Sequence, residues 1–269
     1  MNATDPWAPL SRRIAGQGPD ATYHDGIPSY LRDALEHWVD DCYPADGYQI
    51  RRLEGTLKLR LRVDSIGSLS GVSDTFLLDV IDALLAWEVE PGKWRFDQLN
   101  ELLTAGGAGW RIRSDGTGLE RRLDETVTQA AATAVTTAAD DAAEHLRGAW
   151  NGAYGLHPDP DRAYDEAVLA VEAVACPLVC PANPRGTLGR VIADLGNQRD
   201  QWALSIANTS GQPSAPGALI EMLKVLWHGQ SRHAGSPNSR RQTQAEAEAA
   251  VHLAATLVQW LNSGVLYKP

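Results

Sequence analysis

The sequence predicts a mainly α protein in two parts: a mixed, mostly helical N-terminal half carrying a small β-hairpin, and an all-helical C-terminal half. Three observations carry this expectation. Apolar residues recur at helical spacing over most of the chain after Ile27. One stretch reads as a hairpin: Trp110-Arg-Ile-Arg and Leu119–Leu123 flank a Ser-Asp-Gly-Thr-Gly turn. After Asp124 the pattern is helix upon helix, punctuated by Pro and Gly. The expected boundaries are a loosely ordered lead-in over 1–26, a mixed α+β domain over 27–124 and a helical domain over 125–269.

The elements follow in order. In SYLRDALEHWVDDCY, Tyr30, Leu31, Leu35, Trp38, Val39 and Cys42 form one apolar face, with Pro28 in the first turn and Pro44 and Gly47 at the end. Leu57, Leu59, Leu61 and Val63 alternate with polar residues, the period of a half-buried strand, although an amphipathic helix fits the same stretch. Residues 74–88 form a helix with Phe76, Leu77, Val80, Ile81, Leu84 and Leu85 inward and Asp74 as its N-cap. A shorter helix over Phe96–Leu103 stops at Gly106-Gly107. Beyond Asp124 come a long Ala-rich helix over 125–149, a helix over 162–176 stopped by Pro177, a short one over Thr187–Leu195 and another over 216–227. The last helix opens on a capping box, Thr243 with Glu246, and ends with Gly264 at C′.

Composition narrows the function classes. Hydrophobic residues are 43% and charged residues 22% of 269, so the chain is globular rather than disordered. No apolar run approaches the roughly 20 residues of a membrane span, and no secretory signal is visible at the start, which makes the cytoplasm the expected compartment and a membrane no partner. The net charge of −10 gives no global basic footprint for nucleic acid and leaves only a local patch to supply one. P-loop, GxGxxG, HExxH, GxSxG and paired CxxC motifs are absent, so no cofactor and no metal is expected. Cys176 and Cys180 read best as small buried core residues, and Cys42 leaves the cysteine count odd. The nine tryptophans are dispersed and read as core packing.

One polar constellation stands out. The connector before the last helix, WHGQSRHAGSPNSRR, holds His228, Gln230, Arg232, His233, Asn238, Arg240 and Arg241. Guanidinium forks match phosphate oxygens, and a histidine with an ordinary pKa of about 6.5 exchanges protons at neutral pH. A solvated connector is the other reading of the same residues. Glu166, Glu172 and His252 are secondary candidates for orienting such a site, and Arg147 and Asn151 close the long helix, where an arginine suits the helix dipole.

The segments HLRGAWNGAYGLHPDPDRAYDEAVLAVEAVACP, GTLGRVIADL and LWHGQSRHAG, followed by the Ala-rich last helix to WLNSG, resemble the C-terminal domain of bacterial abortive-infection proteins, within the HEPN superfamily. The likeness covers about residues 140–264; the DTFLLDVIDALL and GWRIRSDGTGLERRLD segments resemble what often precedes such domains. The resemblance implies a helical bundle that forms a homodimer, and an antiviral defence role with an antitoxin or regulatory partner. Catalytic members are metal-independent endoribonucleases with an Arg, four to six further residues and then a His. The Arg holds the scissile phosphate and the His moves the proton, so that the RNA 2′-hydroxyl attacks and a 2′,3′-cyclic phosphate results. By that likeness His233 and Arg232 are catalytic, and His228, Gln230, Arg240 and Arg241 bind phosphate or RNA. The chain departs from the motif: no Arg lies between Leu226 and His228, and Arg232 adjoins His233. Domains of this superfamily without the motif act as binding or dimerisation modules, which is the alternative reading; a plain helical scaffold is the third.

Overall fold

The computed structural model describes residues 10–16, 23–24, 26–42, 47–58, 72–87, 93–183, 186–230 and 240–269. Helices dominate it, and the chain divides into two compact units, Met1–Arg122 and Leu123–Pro269. None of the described helices is long and apolar enough to cross a membrane.

The first unit contains α1 (Leu10–Ile14), α2 (Ser29–Cys42), α3 (Gly47–Leu57), α4 (Asp74–Trp87), α5 (Trp94–Ala105) and the hairpin β1 (Trp110–Ile112) and β2 (Leu119–Arg121). The rest of the expected lead-in lies largely outside the described residues. The apolar stripe of α2 buries Leu31, Leu35, Trp38 and Val39, and α4 buries Leu77, Val80, Ile81 and Leu84. The Trp38 indole N–H donates to the Arg95 carbonyl at 2.8 Å, which satisfies the polar end of a buried ring. The hairpin is antiparallel, with Trp110 opposite Arg121 and Ile112 opposite Leu119, and Leu119 N–H donates to Asp82 Oδ1 on α4 at 2.6 Å. Gly116 supplies the positive φ of the turn.

Two expectations here need correction. Leu57 ends a helix rather than starting a strand, because Leu53 and Leu57, four apart, already share a helical face; Leu59, Leu61 and Val63 lie outside the described residues. Asp74 is the first residue of α4 rather than its cap; Ser73 Oγ accepts the Phe76 N–H at 3.2 Å instead.

The second unit contains α6 (Glu125–Thr137), α7 (Asp140–Tyr154), α8 (Pro160–Val179), α9 (Leu188–Asn197), a 3₁₀ turn (Arg199–Gln201), β3 (Ala203–Ala207), β4 (Pro213–Ser214), α10 (Gly217–Gly229), α11 (Gln244–Asn262) and β5 (Leu266–Tyr267). α8 is central: it packs against α7, α11 and α9, and α11 also packs against α6, α7 and α10. Val168, Val171, Leu188, Leu195, Leu223 and Val258 are among the buried residues of its core. α7 and α8 meet closely at Gly152, where a Cβ would stand 3.1 Å from Ala163.

The second unit is not all-helical. β3 pairs with β4 and with β5 in an antiparallel sheet of order β4-β3-β5. The expected long Ala-rich helix is two helices. Ala138 and Ala139 are extended, Thr137 Oγ1 bonds back to the Thr133 carbonyl at 2.8 Å, and Asp140 and Asp141 open the next helix where its dipole favours carboxylates. α8 starts earlier than expected, with Pro160 in its first turn and Asp159 as N-cap. It also runs past Pro177 to Val179, because a proline in the last turn removes only one backbone bond. The α11 capping box forms as expected, and Gly264 takes a φ of 73°.

Candidate functional site

The connector between α10 and α11 leaves at Gly229 and returns at Arg240, and the first two turns of α8 hold both stems. Tyr164 Oη donates to the Leu226 carbonyl at 3.1 Å, near the end of α10. Gln230 Nε2 donates to Asp165 Oδ1 at 2.7 Å. On the returning stem, the Gln242 backbone N–H donates to Asp161 Oδ1 at 2.7 Å, and its Nε2 donates to the Gly229 carbonyl at 2.8 Å. Gln242 is buried and ties one stem to the other. Gly229 is required here: a Cβ would collide with the Tyr164 hydroxyl.

Arg240 closes onto Glu246. Its Nη1 and Nη2 donate to Oε2 and Oε1 at 2.7 and 2.6 Å, a bidentate pair. Glu246 also accepts the Thr243 N–H at 2.9 Å as the reciprocal half of the capping box. These hydrogen bonds, the Arg240 pair first, hold the Glu246 carboxyl down at about 2.

Of the six residues expected to act on RNA, Arg232 and His233 lie outside the described residues. His228 is exposed on the last turn of α10, and Arg241 is exposed just before α11. Gln230 and Arg240 direct amide and guanidinium donors at carboxylates of the same chain. The stems therefore gather Asp161, Asp165 and Glu246, acceptors that the reading of the connector alone did not include. Beside them Tyr164, Val225, Gly229, Glu246, Ala250 and Leu253 line a mostly apolar groove of about 200 Å³.

The secondary candidates separate. Glu166 does orient a histidine, His145 on α7, through a 2.7 Å contact from Nδ1 to Oε2, with Arg162 Nε 3.9 Å from its other oxygen. Glu172 instead accepts the Leu188 N–H at 2.7 Å and caps α9. His252 Nε2 meets the Tyr154 hydroxyl at 2.7 Å, and Trp150 packs on both rings. Tyr154, Trp150 and His145 escaped the sequence reading; the spacing of Trp150 and Tyr154, four apart on a helix, was the available signal.

Cys176 and Cys180 are buried, and burial first of all pushes both thiols up to about 11. Their sulfurs lie 3.2 Å from the Gly186 carbonyl and 3.1 Å from Asp194 Oδ2. This suits core residues rather than nucleophiles. Among the described residues no cluster of three or more His, Cys, Asp and Glu could hold a metal ion.

No protein-family model, no curated protein and no solved structure matches the chain.

Proposed function

We propose that the helical unit serves as a non-catalytic HEPN-type binding module in an abortive-infection-type protein, engaging a regulatory or antitoxin-like protein partner and not an RNA phosphodiester. One observation carries the reading: two of the donors at the connector stems are already committed to carboxylates, Arg240 to Glu246 and Gln230 to Asp165. A phosphate arriving there would meet Asp161, Asp165 and Glu246, and would have to break a bidentate ion pair to gain the Arg240 fork.

The test is an RNA-cleavage assay of the full chain and of His233→Ala, in EDTA, on tRNA, rRNA and mRNA substrates with product ends identified. Equal absence of cleavage in both is the expected result. Metal-independent cleavage that leaves 2′,3′-cyclic phosphates and disappears in His233→Ala would overturn this reading in favour of an endoribonuclease acting through Arg232 and His233.

A further inference from the structure

We draw no further inference here: the strongest candidate, the mostly apolar groove between α10 and α11 over Tyr164, carries at its one charged lining residue, Glu246, a carboxylate already paired with Arg240, and nothing in the structure shows what covers it.

Discussion

Arg240 and Glu246 close on each other through two hydrogen bonds, of 2.7 and 2.6 Å, across the start of α11. The pair does two things at once. It engages a guanidinium of the returning stem of the connector, and it completes a cap whose other half is Thr243. An arginine that sequence reasoning offers to phosphate is thus an intramolecular clamp.

This clamp makes stability depend on pH. The Glu246 carboxyl, ordinarily at 4.5, is held at about 2 in the folded protein. The unfolded chain therefore binds this proton more readily, so the contribution is complete above about pH 4.5 and is lost as pH falls toward about 2. In Glu246→Gln that contribution is gone at every pH. Denaturant midpoints of wild type and variant should differ most near neutrality and converge between about pH 4.5 and pH 2. A constant gap over that range would show that the carboxylate is not the group responsible.

Glu172 reaches from α8 to cap α9, accepting the Leu188 N–H at 2.7 Å where Thr187 provides no side-chain cap. Glu172→Ala leaves that N–H without its acceptor and should lower unfolding stability by about 1 kcal/mol, the usual worth of an N-cap. Glu172→Gln retains an acceptor oxygen and should recover most of it. Equilibrium unfolding of the two variants beside wild type reads the difference.

The buried cysteines give a kinetic prediction. With thiols pushed up to about 11, Cys176 and Cys180 hold only about a thousandth of their population as thiolate near pH 8. In the native protein both should resist a thiol-directed reagent, and both should react promptly in denaturant. Mass spectrometry of alkylated native and unfolded chains distinguishes this from a reactive pair.

Local signals were legible in the sequence, and distant ones were not. The Thr243–Glu246 box and the hairpin turn around Gly116 are set by residues a few positions apart, and both form. The sheet of β3, β4 and β5 was invisible because its strands are two to five residues long, β3 is mostly exposed, and its pairing of Ala203 with Tyr267 spans the whole of α10 and α11. The break at Ala138 depends on Thr137, which bonds back to the Thr133 carbonyl, and on Asp140 and Asp141, which open the next helix; the surrounding alanines favour helix on both sides and mask it. At the connector the basic and amide residues could be read, but not their acceptors. Asp161 and Asp165 are many residues away on α8, and only packing of α8 against the ends of α10 and α11 brings them to Gln242 and Gln230.

Gly229 and Tyr164 provide a direct probe of how the stems are set. The hydroxyl of Tyr164 occupies the space a Cβ would need at Gly229 and donates to the Leu226 carbonyl at 3.1 Å. Gly229→Ala should therefore destabilise the helical unit by about 1–3 kcal/mol through overpacking, despite the better helix propensity of alanine. Tyr164→Phe removes the obstructing oxygen at the cost of one hydrogen bond, about 1 kcal/mol. If the clash is the cause, the double variant is more stable than the sum of the two single changes predicts, because alanine then meets only the ring edge. A double-mutant cycle by chemical denaturation measures that coupling. Strict additivity would place the need for glycine elsewhere, in the backbone where the connector leaves α10.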